Sequence, residues 1–252
     1  MAAIPVALQL YTVRDETARD FVGTLRKVAD LGYAGVELAG TGGLAAAELR
    51  RLLGDLGLQV AGSHVGMEQL AGGLPAALDY NAELGNPWVV CPYLPEDRRG
   101  DAAAWRAVGA WFDTVGAACR ERDMQFCYHN HAFEFARHDG QLGLDLLFGS
   151  SSPDLVKSEL DTYWVRHGGQ DPAAYIRRYA GRVPLVHLKD MAAGEQRTFA
   201  EVGEGIMDFD AIFAASTESG VAWYIVEQDV CQRPSLESAA ISLRNLRQRG
   251  IA

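Results

Sequence analysis

The chain has 252 residues, 48% of them hydrophobic, and a formal net charge of −10. That length suits one core of the size of an eight-stranded α/β barrel, and no stretch approaches the roughly 20 apolar residues that a membrane span needs. The acid excess, with Lys and Arg in no run longer than a doublet or two, argues against a nucleic-acid partner.

The start, MAAIPVALQLYTVRD, has no basic segment leading into a long apolar run and reads as a strand, so no signal peptide is expected. Eight short β-type runs follow one another: VALQLY from Val6, GVELA from Gly35, QVAGSHV from Gln59, WVVCPY from Trp88, QFCYHNH from Gln125, VKSELDTYWV from Val156, VPLVHLKD from Val183 and WYIVEQDV from Trp223. Their spacing of about 25–35 residues is that of a strand-loop-helix-loop unit. Strands alternating with helices predict a parallel sheet, and eight units predict its closure into a single (β/α)8 TIM barrel over residues 1–252. Between the strands, Phe21, Leu25, Val28 and Leu31 make one helical apolar stripe. Leu49, Leu52, Leu53 and Leu56 make a second, stopped by Gly57, and Trp105, Val108, Phe112, Val115 and Cys119 a third. Shorter helices are expected near Leu142–Phe148 and Pro172–Tyr179. The seventh connection, from Met191 to Met207, carries no stripe and holds three glycines. A loop of that length at a catalytic face, with little packing of its own, is a candidate lid. The four cysteines (Cys91, Cys119, Cys127, Cys231) have no CxxC spacing, which fits free thiols and a cytoplasmic location.

In such a barrel the site lies at the C-terminal ends of the strands. Side-chain alternation puts Gln125, Cys127, His129 and His131 on the inner face of the fifth strand, with Phe126 and Tyr128 outside. Lys157, Glu159 and Asp161 of the sixth strand, His187 and Lys189 of the seventh, and Glu227 and Asp229 of the eighth face inward likewise. Ionised carboxylates crowded in a low-dielectric mouth repel one another unless a cation lies between them. With only two inward lysines, a divalent metal is the simplest source of that charge, and mixed imidazole and carboxylate donors suit manganese, zinc, cobalt or iron better than calcium. A lone strand histidine is more often a hydrogen-bonded core residue than a ligand. Here four of six (His64, His129, His131, His187) fall at predicted strand ends, which favours a metal site; His138 and His167 fall in loops. Gln9, Tyr11 and Arg14 leave the first strand and Glu37 ends the second, placed to bind hydroxyls or, for Arg14 with Asp15, to form a surface pair. Trp164 suits a platform for a sugar's apolar face as well as it suits rim packing.

The segments LQLYTVRD, GYAGVELAG, SHV, YHNHAFEF, LDTYWV, VHLKDM, VGEGIMDF and YIVEQD together resemble the sugar phosphate isomerase/epimerase family of xylose-isomerase-like barrels, from about Val6 to Asp229. The resemblance implies one divalent metal, manganese foremost and zinc, cobalt, magnesium or iron otherwise, held by ligands from the last four strands. Asp161, His187 and Glu227 match the family's ligands on the sixth, seventh and eighth strands. The family's usual fifth-strand Glu is missing here; Glu134, in the exit loop, is the first candidate for fourth ligand and His129 the second. The loop Glu of GEG matches Glu204, and Trp164 stands where many epimerases have a His.

An isomerase or epimerase of a sugar or keto-sugar follows from that resemblance, working through an enediolate whose parent C–H the metal acidifies. His129 or His131 would serve as base at neutral pH, Glu227 as the eighth-strand carboxylate that moves a proton, and Lys189 as the group that steadies an oxyanion or a leaving hydroxyl. Gln9, His64, Trp164 and Glu204 are the expected substrate-binding residues. The alternative is a lyase on the same enolate logic, of the inosose dehydratase or 3-keto-glycoside kind. A non-catalytic carbohydrate-binding barrel remains a third reading, and charge opposes a DNA-repair nuclease. A small sugar substrate and a homo-oligomer are expected, without a nucleic-acid or membrane partner.

Overall fold

Eight parallel strands close into a barrel in the computed structural model, which describes residues 3–252. They are β1 (Val6–Gln9), β2 (Gly35–Leu38), β3 (Gln59–His64), β4 (Trp88–Cys91), β5 (Gln125–His129), β6 (Val156–Asp161), β7 (Leu185–Leu188) and β8 (Trp223–Val226). Each lies in a run that the sequence marks as a strand. Closure comes from β8 pairing with β1, Val6 opposite Tyr224 and Leu8 opposite Val226.

The three apolar stripes form helices Phe21–Leu31, Ala46–Asp55 and Ala102–Arg120, and the two short helices run Gly143–Gly149 and Pro172–Arg178. Asp20 and Asp101 start the first and third by accepting the backbone N–H of Gly23 and Ala104, both at 2.8 Å. Leu25, Val28, Leu49, Leu53, Trp105 and Phe112 are buried, each such side chain contributing about 1.5–3 kcal/mol. Tertiary burial of one face therefore holds these helices, more than their intrinsic propensity does.

Inside the barrel a separate apolar cluster of Ala7, Ala61, Val90, Cys127, Leu185, Trp223 and Ile225 closes the floor. Above it every inward position turns polar: Gln9, Glu37, His129, Glu159, Asp161 and His187 are all buried. Simple alternation fails at one place. The β2–β3 register shifts between Val36 and Glu37, so Ala61 and His64, three residues apart, both face the axis. Gly62 at that bulge cannot be larger, because a Cβ there would stand 2.5 Å from Glu37 Oε1.

The connection after β7 differs from the loosely packed lid expected from sequence. Asp190–Met191 pairs antiparallel with Phe199–Ala200, and Met191, Val202 and Met207 are buried. The Asp190 carboxylate accepts the backbone N–H groups of Met191, Gly203, Gly205 and Met207 at 2.8–3.1 Å. An acceptor with two oxygens replaces the helical stripe as the organising element. No helix of the described residues is long and apolar enough to cross a membrane, and all four cysteines are free thiols.

Candidate functional site

A cavity of about 390 Å³ opens at the strand exits, lined by Tyr11, His64, Tyr93, His131, Lys189 and Glu227 among others. A larger cleft, of about 660 Å³, lies on the outer wall beside Arg106, Arg137 and Asp145, away from every predicted site residue.

Local structure fixes the mouth of the barrel. Asp161 ends β6 and caps the helix Thr162–His167, its Oδ1 accepting the Trp164 N–H at 2.9 Å; its Oδ2 is left facing the axis, 3.0 Å from Lys189 Nζ but with no aligned hydrogen bond. Asn130, between the two fifth-strand histidines, accepts the Asp161 N–H at 3.0 Å through its side chain. Thr162 donates to the His187 carbonyl at 2.9 Å. The HNH and DT motifs thus lock β5, β6 and β7 together at the level of the site.

His187 lies between carboxylates, with Nδ1 2.8 Å from Glu227 Oε2 and Nε2 2.8 Å from Glu37 Oε2. Burial opposes a charge on His187, but Glu159 and Glu37 outweigh it and hold its pKa well above the ordinary range. His64 meets Glu159 at 2.9 Å and Glu37 at 3.2 Å; against its burial, Glu37 and Glu159 push its pKa up to about 10. Burial keeps His129 neutral, helped by the charge on His187. Burial likewise lowers His131 to about 3, with Lys189 acting in the same direction. Lys189 contacts Asp161 at 3.0 Å, Glu227 at 2.7 Å and Asp229 at 2.6 Å, and those charges hold its proton against the penalty of burial.

His129 Nε2 faces Asp161 Oδ2 at 3.6 Å while its Nδ1 is 2.9 Å from Glu159 Oε1. With the ring proton on Nδ1, the Nε2 lone pair faces a buried carboxylate oxygen that the Lys189 ammonium approaches at 3.0 Å without an aligned hydrogen bond. A cation satisfies both. Donor atoms of His129, Asp161, His187 and Glu227 all lie within 4.8 Å of one another, and a deeper group of His64, His129, Glu159 and His187 meets the same limit. The residues therefore fit a divalent metal, with two imidazoles and two carboxylates as a familiar donor set.

Several expectations need correction. Glu134 does not reach this cluster: it sits on the helix side of β5, its Oε1 accepting from the Tyr128 hydroxyl at 2.6 Å and its Oε2 from the His131 N–H at 2.8 Å. The outward phase of Tyr128 takes Glu134 with it, and His129 is the fifth-strand residue whose nitrogen joins the cluster. Gln9 is fully buried, with its amide nitrogen on Glu37 Oε2 at 2.6 Å and its oxygen on the Tyr11 N–H, so it braces Glu37 and does not line the cavity. Glu204 turns to the surface, 3.2 Å from Arg233. Trp164 does stand at the mouth, 5.4 Å from the His131 ring and 6.0 Å from Lys189 Nζ, between centroids and to the centroid respectively. His64 lines the cavity as expected. Glu37, expected to bind hydroxyls, instead meets His187 at 2.8 Å and His64 at 3.2 Å; Glu159, Asn130 and Thr162 had no expected site role, and of these the inward phase of Glu159 is the available signal.

The family model described as "Xylose isomerase-like TIM barrel" matches residues 25–249. The inosose dehydratase of Geobacillus kaustophilus (strain HTA426) is 26% identical over 244 residues, 81% of this chain and 79% of that protein. The inosose dehydratase of Lacticaseibacillus casei is 28% identical over 142 residues, and there the chain spans about half (47%) of the relative. Among solved structures, a sugar phosphate isomerase/epimerase from Parabacteroides distasonis ATCC 8503 superposes with a TM-score of 0.84 at 27% identity, covering 98% of this chain and 94% of that one.

Proposed function

Because the chain belongs to the family of xylose isomerase-like TIM barrels, we propose that it removes a proton next to the carbonyl of a keto-sugar, with one divalent metal at His129, Asp161, His187 and Glu227, and expels a substituent from the β-carbon. The observation that carries the metal is the convergence of His129 Nε2 and Asp161 Oδ2, 3.6 Å apart, with donor atoms of His187 and Glu227 within 4.8 Å. A metal bound there would polarise the carbonyl and acidify the neighbouring C–H. His131, lining the cavity with an unpartnered Nδ1, accepts the proton. Lys189, protonated and in the same wall, hydrogen-bonds the departing oxygen and supplies its proton.

Elimination is favoured over epimerisation by the placement of Glu134. Without it the fifth strand offers no carboxylate to the mouth, so the pair of acids on opposite faces that an epimerase of this family would use is incomplete. The inosose dehydratase relative, aligned over four-fifths of both chains, agrees in chemistry. Isomerisation or epimerisation, with His131 and Glu227 exchanging the proton, is the second reading; the superposed isomerase/epimerase supports it. The substrate is unphosphorylated on this reading. No arginine lines the cavity among the described residues, Arg14 donates to the Tyr11 and Asp229 carbonyls, and Lys189 is already matched by three carboxylates.

Purified protein is expected to carry metal that Asp161→Asn and Glu227→Gln lose, measured by elemental analysis. In D₂O, proton NMR with keto-sugars, inososes and 3-keto-glycosides should show exchange next to the carbonyl and an unsaturated product. A deuterated isomer in its place would establish the second reading, and no exchange at any substrate carbon would refute both.

A further inference from the structure

The polar layer beneath the ligands contains one carboxylate that the chemistry above does not use. β6 lies between β5 and β7 in the barrel, and Glu159, two residues before Asp161 on the same face, falls one layer deeper. Its Oε1 is 2.9 Å from His129 Nδ1, 3.1 Å from His187 Nε2 and 2.9 Å from His64 Nε2. A single oxygen from one strand thus meets imidazoles carried by three others.

We infer that Glu159 is a positioning residue which sets the tautomer and tilt of both ligand histidines, and so governs how tightly the metal binds. The inference rests on the metal reading above. An ionised carboxylate only accepts hydrogen bonds, so the protons of His129 and His187 lie at Nδ1 and Nε2, on the Glu159 side. The opposite nitrogens, His129 Nε2 beside Asp161 and His187 Nδ1 beside Glu227, then point their lone pairs into the ligand group together. Glu37 reinforces the arrangement at His187 Nε2 and is itself held by Gln9. At His129 nothing duplicates Glu159. The side chain is fully buried and its Oε2 has no partner, so all of its contacts run through the one oxygen that faces the imidazoles. Partners of ligand histidines typically change metal affinity by about 10–100-fold when removed.

The test compares Mn²⁺ dissociation constants, by calorimetry on chelator-stripped protein, for wild type, Glu159→Gln, Glu159→Asp and Asp161→Asn. Thermal unfolding of each metal-free protein and the Co²⁺ absorption spectrum of each loaded one accompany it. Both Glu159 variants should bind about 10–100-fold more weakly with the Co²⁺ band shape kept, and Asp161→Asn should lose binding altogether. Glu159→Asp keeps the charge but withdraws it from the rings, so equal loss in the two variants assigns the effect to position. Affinities within about twofold of wild type would overturn the inference, as would a lower metal-free melting point with binding unmoved. Loss as complete as in Asp161→Asn with an altered Co²⁺ spectrum would also overturn it, making Glu159 a ligand of the deeper group. A wild type that takes up no metal would instead refute the function proposed above, and this inference with it.

Discussion

Replacing Glu134 with Gln separates a ligand from a buried acid. The carboxyl is fully buried on the helix side of β5, and burial raises its pKa to about 8, overriding the Tyr128 and backbone hydrogen bonds and the more distant Arg99. The gap between the ordinary 4.5 and about 8 corresponds to about 5 kcal/mol against the ionised form, an upper bound at about 1.4 kcal/mol per pKa unit. The unfolded chain releases this proton above about pH 4.5 while the folded chain keeps it to about pH 8. Folding therefore takes up a proton across that window, and stability falls as pH rises through it. Glutamine stays neutral, can still accept the His131 N–H, and can donate its amide to the Tyr128 oxygen. Urea unfolding of the metal-free proteins should give similar stabilities at pH 5 and a gap of about 2–5 kcal/mol in favour of Glu134→Gln at pH 8. Metal content should be unchanged. Identical pH profiles for the two proteins would refute the burial argument, and lost metal would return Glu134 to the ligand set.

His131→Asn should retain metal but lower turnover and C–H exchange by about 10²–10⁴-fold, since it removes a proton acceptor that lines the cavity; parallel loss of metal would make His131 a ligand. Asp190→Ala should cost about 1–3 kcal/mol or more by leaving four backbone N–H groups without their acceptor, and should speed proteolysis between Met191 and Met207. Cleavage at the wild-type rate would show that the loop is held by other contacts.

The barrel and the four inward strand ends were legible because both depend on periodicity, which a sequence displays directly. The choice of Asp161, His187 and Glu227 rests on the match to the family's motifs, and strand phase agrees with it: Asp161 ends β6, His187 lies within β7 and Glu227 directly follows β8. What was misread lies where the chain leaves periodic structure. Glu134 belongs to a turn of 3-10 helix, Phe133–Phe135, after β5, and no alternation rule says which way such a turn points its side chains. His64 reaches the axis only through the β2–β3 bulge. The Met191–Met207 loop lacks a stripe, but its organiser is one aspartate just before it, and a carboxylate collecting backbone N–H groups leaves no pattern in sequence. Glu37 and Glu159 were visible as inward positions, yet their roles depend on which imidazole nitrogens they face.

The exchange of a fifth-strand carboxylate for His129 also changes what the centre can do. On the proposed ligand set, Asp161 and Glu227 with two neutral imidazoles would give a ligand charge of −2, which balances a divalent ion; a third carboxylate would leave the centre net negative. A less negative ligand set leaves the ion a stronger Lewis acid toward a neutral carbonyl, and it spares one acid residue that the mouth would otherwise hold. In the structure Lys189 contacts both the Asp161 and Glu227 carboxylates, and a proton on His187 adds to that positive charge. His187, charged between Glu227 and Glu37, occupies the position with a proton on the nitrogen that the ion requires. A metal held at this set would need the Nδ1 lone pair of His187, while Glu37 and Glu159 would keep the proton at Nε2.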